Sequence, residues 1–394
     1  MSYPKVILKS GKDQSVRRYH PWIFSGAIKK IIGQVNEGDL VRVTDNKDEF
    51  LAIGHYQIGS IAIRIVTFED IEIDAEFWKQ KIKSAYTFRK RFDLADIENT
   101  NVYRLVHAEG DGLPGLVIDY YNGTAVLQMH SIGMFLIKEY FVEAIKEIYG
   151  DKLVAIFDKS ESTIPFKSDI QAENGYLYGS SGEKMVLEYG HKFKVNWEDG
   201  QKTGFFIDQR ENRKLLEHYS KDKSVLNVFG YTGGFSVYAM SGGAKEVHSV
   251  DSSKKAIDLT NENIDLNFED TSRHKSFAVD AFEFLNDIDN KYDVIILDPP
   301  AFAKHQNVLH NALQGYKRLN AKAIEKIKPG GILFTFSCSQ VVSKENFRKT
   351  LFAASANTGR RVRILHQLTQ PIDHAINIYH PESEYLKGLV VYVE

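Results

Sequence analysis

Apolar and polar residues alternate, or apolar residues run in short blocks, over roughly the first 72 positions. Val6–Lys9, Leu40–Thr44, Phe50–Gly54 and Ile61–Val66 carry this pattern, with Gly, Asn and Asp between them. Such segments predict short strands joined by turns, and together a small β-barrel over 1–72. The period then changes. Asp74 stands where it can cap a helix, and Phe77, Ile82, Ala85 and Phe88 fall near helical spacing. This predicts a helical linker over 73–100, whose tail Arg89-Lys90-Arg91 is basic.

Residues 101–190 predict a central α+β domain. Val117–Tyr121 and Ala125–His130 flank Asn122-Gly123, a pair suited to a hairpin turn that needs two positive φ angles. A helix at about Met134–Tyr149 and a strand at Leu153–Asp158 follow, then strand-like segments at Lys184–Glu188 and Lys192–Asn196. From about 200 onward strands and helices alternate strictly, within a last domain spanning 191–394. Strands are predicted at Ser224–Phe229, Glu246–Val250, Ser276–Val279, Val294–Leu297, Ile332–Phe336 and Val362–Leu365. That alternation means an α/β, Rossmann-like parallel sheet covered on both faces. A last strand, Gly388–Val393, would lie antiparallel near its edge.

Composition adds little to this picture and excludes some alternatives. The chain has 394 residues, 43% of them hydrophobic, and a net charge of −2. That balance does not announce a nucleic-acid binder, so any RNA surface must be a local patch. The single cysteine, Cys338, excludes an internal disulfide and a multi-cysteine zinc site. No metal site is expected from the histidines, none of which forms a His-x-x-x-His pair with a nearby acid. The polar N-terminal segment and the lack of a membrane-length apolar stretch predict a soluble, cytoplasmic protein.

Candidate chemistry gathers where predicted strands end. Strand Ser224–Phe229 runs into Gly230-Tyr231-Thr232-Gly233-Gly234 before a helix. Glycines allow a sharp turn and close approach of a ligand, and the helix start offers unbonded N–H groups. The spacing is not G-x-G-x-x-G, which disfavours a nicotinamide dinucleotide. Asp251, followed by Ser252, lies about 20 residues further on, as expected for a carboxylate gripping ribose hydroxyls. Asp280, followed by Ala281, ends the third strand and could accept a hydrogen bond from an adenine amino group. Two such carboxylates suit a nucleoside without phosphates, such as S-adenosylmethionine. Both aspartates could equally cap the helices that follow them.

The fourth strand ends in Asp298-Pro299-Pro300-Ala301-Phe302. Its prolines force a stiff turn at the edge where such sheets bind ligands. A strand terminator with a solvated aspartate is the plainer alternative. The fifth strand ends in Ser337-Cys338-Ser339, beside the fourth. A thiolate there could attack C6 of a pyrimidine and make C5 nucleophilic. A buried, inert cysteine is the competing interpretation.

The segments Gly200-Gln201-Lys202-Thr203-Gly204-Phe205-Phe206-Ile207-Asp208-Gln209-Arg210-Glu211-Asn212-Arg213, the Gly-Tyr-Thr-Gly-Gly-Phe-Ser turn at 230–236, Asp298-Pro299-Pro300-Ala301-Phe302-Ala303-Lys304 and Ser337-Cys338-Ser339 together resemble the bacterial and archaeal 23S ribosomal RNA cytosine-C5 methyltransferases. The resemblance covers essentially the whole chain and is strongest from about 200 to 340. Arg17-Arg18-Tyr19-His20-Pro21-Trp22-Ile23-Phe24 is similar to the opening of that family's PUA domain, a small RNA-binding barrel. The resemblance implies an N-terminal PUA barrel, a central α/β domain and a C-terminal class I methyltransferase domain. It implies S-adenosylmethionine as cofactor, surrounded by Gln209, Phe229, Asp251, Asp280 and Asp298, with Gly230, Tyr231, Thr232, Gly233, Ser252 and Ala281 alongside. It further implies Cys338 as nucleophile and Asp298 as the group that orients cytosine through N3 or N4. The partner would be ribosomal RNA, and the family admits a homodimer. One departure stands out. Many other RNA cytosine-C5 methyltransferases carry a second cysteine after the strand-four Asp-Pro pair, where this chain has Ala301. Release of the adduct then needs another base or water.

Arg17, Arg18, Lys202, Arg210 and Lys304 are the expected RNA contacts, with Arg89, Lys90 and Arg91 as an extension of the track. Tyr19, Trp22 and Phe24 could stack on unpaired bases or fill the barrel core. The rival functions are a guanine-N7 or adenine-N6 methyltransferase, which needs no cysteine, an inactive RNA-binding protein, and a dehydrogenase.

Overall fold

The computed structural model describes residues 3–165, 171–303 and 305–394. It divides into two compact units, one of residues 1–186, 195–205 and 372–383, the other of residues 187–194, 206–371 and 384–394.

The first unit begins with strand β1 (Lys5–Leu8), a single turn α1 (Gln14–Arg17), then β2 (Trp22–Phe24), β3 (Ile28–Ile32), β4 (Leu40–Thr44), β5 (Phe50–Tyr56) and β6 (Ile61–Thr67). They form one six-stranded sheet in the order β2-β6-β5-β4-β1-β3. The sheet wraps a core of Val6, Leu8, Ile23, Val41, Val43, Ile63 and Ile65. The alternating positions of the sequence supply that core. Helix α2 (Ala75–Arg91) starts where Asp74 accepts a hydrogen bond from the Phe77 N–H, the cap read from the sequence.

A five-stranded sheet follows, ordered β11-β10-β9-β8-β7, from β7 (Val102–His107), β8 (Leu116–Tyr121), β9 (Thr124–Met129), β10 (Ala155–Asp158) and β11 (Gly175–Gly179). Asn122 and Gly123 both have positive φ, 41° and 93°, as the two-residue hairpin turn requires. The predicted helix at Met134–Tyr149 is two helices, α3 (Ile132–Leu136) and α4 (Lys138–Tyr149), parted at the non-helical backbone of Ile137. Trp78, Ile82, Phe141 and Ile145 pack with Leu105, Ile118 and Leu127 into one core. Strands β12 (Met185–Glu188) and β13 (His191–Lys194) form a two-stranded ribbon.

The second unit is an alternating α/β layer. Its elements run α5 (Arg210–Tyr219), β14 (Ser224–Val228), α6 (Gly234–Ser241), β15 (Glu246–Asp251), α7 (Lys254–Asn267), β16 (His274–Ala278), α8 (Ala281–Asn286), β17 (Val294–Leu297), α9 (Leu309–Lys326), β18 (Gly331–Ser337), α10 (Lys344–Thr358), β19 (Val362–Leu368) and β20 (Lys387–Val393). The seven strands are ordered β16-β15-β14-β17-β18-β20-β19. The first five are parallel, and β20 is antiparallel to both β18 and β19. One face buries Leu226, Leu297 and Leu333 against Tyr316 and Leu319 of α9 and Phe347 and Leu351 of α10. The other carries Phe334 and Phe336, which meet Tyr219 and Phe235 beside α5 and α6. Near-continuous apolar strands such as Val294–Leu297 reflect this two-sided burial. Strand order reverses beside β14, the place where open parallel sheets bind ligands at their carboxyl ends. Among the described residues no helix is long and apolar enough to cross a membrane.

Candidate active site

Five strand ends line one edge of the second unit's sheet. After β14 the chain turns through Phe229, Gly230, Tyr231, Thr232 and Gly233. Phe229, Tyr231 and Gly233 have φ of 63°, 46° and 73°, a strained run that only surrounding contacts can hold. Those contacts come from α7. Thr260 Oγ1 donates to the Tyr231 carbonyl at 3.0 Å and Asn263 Nδ2 to the Thr232 carbonyl at 2.8 Å. A Cβ on Gly233 would stand 2.7 Å from Thr260 Cγ2, whereas one on Gly230 would meet nothing closer than 3.4 Å. The turn is therefore packed on its helix side and open at Gly230. Gly233→Ala combines a positive φ with that clash, and should destabilise the protein by about 1–3 kcal/mol. Chemical denaturation checks this, and an unchanged midpoint would contradict the packing described.

Asp251 ends β15. Its carboxylate accepts from the Tyr231 N–H at 3.1 Å and the Ser253 N–H at 2.9 Å, tying the second strand end to the glycine turn. Ser252 is exposed. Asp280 is exposed and caps α8, accepting from the Phe282 and Glu283 N–H groups. The capping role weighed for it in the sequence is thus realised, while Ala281 behind it is buried.

Beneath the turn lies a buried network that the sequence did not reveal. Arg213 donates to both carboxylate oxygens of Glu188, at 2.8 and 2.6 Å, and to the Phe206 carbonyl at 2.9 Å. Tyr238 Oη donates to Glu188 at 3.0 Å. Gly234 rests directly on Arg213, since a Cβ there would meet its Cδ at 2.9 Å. Arg213 is thereby committed to Glu188 and not to a phosphate. The edge instead presents Asp208, Asp251, Asp280 and Asp298. Carboxylates with an open glycine backbone fit a nucleoside that carries positive charge, and fit a pyrophosphate poorly.

Asp298 follows β17. Its carboxylate accepts from Gln209 Nε2 at 3.0 Å, and Gln209 is itself held by Asn212 at 2.6 Å. Burial and the neighbouring Asp208 carboxylate push Asp298 up to about 7, with Gln209 and Arg213 only partly offsetting them. Asp208 accepts from Tyr385 Oη at 2.7 Å through one oxygen. Its other oxygen is buried without a hydrogen bond. Neither Asp208 nor Tyr385 was singled out from the sequence. Asp298 is half-buried, so it is not the solvated strand terminator that was the plainer alternative.

Cys338 follows β18, the strand beside β17, and is half-buried. Ser339 locks this end. Its hydroxyl bonds Tyr316 Oη at 2.9 Å and accepts from the Ala303 N–H at 3.3 Å. The turn after Asp298 and the turn holding Cys338 are thus joined. Phe302 stacks on Tyr316 with ring centroids 4.5 Å apart, and Gly315 leaves it room. Lys387 of β20, buried, also reaches this end.

The expected RNA contacts separate into two classes. Arg18 and Lys202 are exposed. Arg17 is engaged by Asp13, Asp45 and Glu49, so three carboxylates already neutralise it. Arg210 is buried, which corrects the expectation that it meets phosphate at the surface. Arg89 is likewise buried, bonded to Asp111 and to the carbonyls of Arg104 and Asp373, and does not extend a basic track. Lys90 pairs with Asp96. Lys304 lies outside the described residues. Tyr19 and Phe24 are exposed, 52% and 49%, with Tyr19 edge-on to Phe68. Trp22 is half-buried, donating to Glu109 at 2.8 Å and packed on His380.

Known proteins resemble this chain over nearly its whole length. A family model described as S-adenosylmethionine-dependent methyltransferase matches residues 166–372, and one described as a PUA-like domain matches residues 6–68. The chain is 36% identical to ribosomal RNA large subunit methyltransferase I of Klebsiella pneumoniae, over 98% of this chain and 97% of the relative. It is 39% identical to the protein of the same name from Alteromonas mediterranea, over 98% of each. Among solved structures, a Streptococcus mutans chain described as a SAM-dependent methyltransferase superposes with a TM-score of 0.84 at 23% identity, covering both chains fully. Another methyltransferase structure, solved with SAH, gives 0.85 at 24% identity, again over both whole chains. At these identities the structural likeness concerns the fold.

Proposed function

The chain belongs to the ribosomal RNA large subunit methyltransferase I family of S-adenosylmethionine-dependent methyltransferases, and on that premise we propose that it forms 5-methylcytidine in large-subunit ribosomal RNA through a covalent bond between Cys338 and C6 of the target base. The observation that carries the reading is the placement of Asp298 and Cys338 directly after the adjacent parallel strands β17 and β18, the carboxyl group held near 7.

The two groups divide the work. Cys338 Sγ bonds C6, and the C5=C6 electron pair moves toward C5, with charge spreading to N3 and O2. A carboxyl group that keeps its proton near neutrality can donate to N3 as that charge develops. Gln209, pinned by Asn212, holds the Asp298 carboxyl in place while it does so. S-adenosylmethionine, when bound, supplies a methyl group attached to a positively charged sulfur. Gly230, Tyr231, Thr232, Gly233, Asp251, Ser252, Asp280 and Ala281 would hold its nucleoside end, with Phe229 and Gln209 between it and the base. Once a base or water takes the C5 proton, the C5–H pair re-forms the C5=C6 bond and the Sγ–C6 pair returns to Cys338. Arg18 and Lys202 would contact RNA phosphates, and Tyr19 and Phe24 would stack on unpaired bases.

The test is nucleoside mass spectrometry of unmethylated ribosomal RNA incubated with the protein and isotope-labelled S-adenosylmethionine. Labelled 5-methylcytidine is expected. Labelled 7-methylguanosine or 6-methyladenosine would overturn the base assignment and the role of Cys338.

A further inference from the structure

Lys387 opens β20 and pairs in register with Ser337, the residue before Cys338. A lysine inside a seven-stranded sheet is unusual, because a buried ammonium needs compensation. Lys387 is only 4% exposed. Its Nζ donates to the carbonyls of Ser339 and Tyr385, both at 2.6 Å. Among the described residues no carboxylate forms an ion pair with it, since the nearby Glu384 is paired to Lys344. The two carbonyls are neutral acceptors, and one of them belongs to the residue directly after the cysteine.

We propose that Lys387 is a positioning residue for Cys338: its ammonium compensates the thiolate, and its grip on the Ser339 carbonyl seats the sulfur at the strand end. The inference rests on the reading of Cys338 as nucleophile. The thiol proton leaves to solvent and Lys387 keeps its own three. The same ammonium stabilises the thiolate when the C6–Sγ bond breaks.

The charged groups around this pair are few. Cys338 and Glu384 raise the affinity of Lys387 for its proton and Lys344 lowers it, while burial brings it down to about 8. Tyr316 of α9 bonds the neighbouring Ser339 hydroxyl, and its own hydroxyl lies within electrostatic reach of Cys338. At neutral pH Lys387 is therefore mostly charged, and its support for the thiolate fades above about pH 8.

Because Cys338 is the sole cysteine, its alkylation by iodoacetamide reports it unambiguously. The rate is measured against pH on the whole protein without RNA or cofactor. Lys387→Met should move the alkylation midpoint upward by about one pH unit and slow the reaction about tenfold at neutral pH. Lys387→Arg should restore most of it. An unchanged profile in Lys387→Met overturns the proposal. Should that variant fail to fold, the reciprocal linkage serves. Lys387, followed by nitrogen NMR, should titrate at lower pH in Cys338→Ser than in the parent, and equal titration overturns the proposal. Neither measurement involves methyl transfer, so both stand apart from whether the product is 5-methylcytidine.

Discussion

Cys338→Ser is expected to lose methyl transfer by at least ~10³-fold while binding S-adenosylmethionine within about twofold of the parent. The side chain lies at the end of β18, and the groups assigned to the cofactor lie at the ends of β14, β15 and β16. An oxygen in place of sulfur leaves those strand ends untouched. It also preserves the Ser339 bonds to Tyr316 and Ala303 that fix the turn. What it removes is the thiol, a far stronger nucleophile than a serine hydroxyl. Turnover with labelled cofactor, paired with a cofactor titration, checks both halves. Retained turnover would mean that a nitrogen of the base is attacked directly and that no adduct forms.

Asp298→Asn should lower activity by about 10²–10³-fold and at the same time raise stability. The carboxyl group has a folded-state value near 7, against roughly 4 for an unfolded aspartate. Its folded form binds the proton more tightly. The associated stability is fully present below about pH 4 and is lost as pH rises through about 7. Asparagine has no such loss. The variant should therefore gain little near pH 4 and on the order of 4 kcal/mol near pH 8.5. In the parent, activity should fall as Asp298 deprotonates above about 7, because the proton donor is lost. Thermal unfolding at both pH values, with a pH–rate profile, checks the pair of effects. A stability difference independent of pH would contradict the proton held at Asp298. A destabilised Asn variant would contradict the crowding of its carboxylate by Asp208.

Much of this architecture is legible in the sequence because its signals are local. Apolar runs ended by Gly or Asp mark β14, β15 and β17, and strict alternation with helices implies the parallel sheet. Asn122-Gly123 and Asp74 act through their own backbone neighbourhood, and both behave as their chemistry predicts. The strand ends bearing Asp251, Asp280, Asp298 and Cys338 could be located for the same reason. What escaped is long-range compensation of charge. Arg89, Arg210, Arg213 and Glu188 look like surface residues in the chain, yet all four are buried. Arg213 and Glu188 are 25 positions apart and meet only in the folded protein. Lys387 lies just before the strand predicted at Gly388–Val393, and its burial against the Ser339 and Tyr385 carbonyls follows from the antiparallel return of β20. Asp208 matters because folding sets its carboxylate close enough to Asp298 to raise it.

The most direct test of covalent catalysis uses RNA in which the target cytidine carries fluorine at C5. After methylation that carbon holds no proton to remove, so elimination stalls and the Sγ–C6 bond persists. Covalent catalysis by Cys338 predicts a cofactor-dependent protein–RNA adduct, stable to denaturation, mapped by mass spectrometry to Cys338 and absent from Cys338→Ser. Full turnover of normal RNA with no adduct on the fluorinated RNA, or an adduct at another residue, would contradict it.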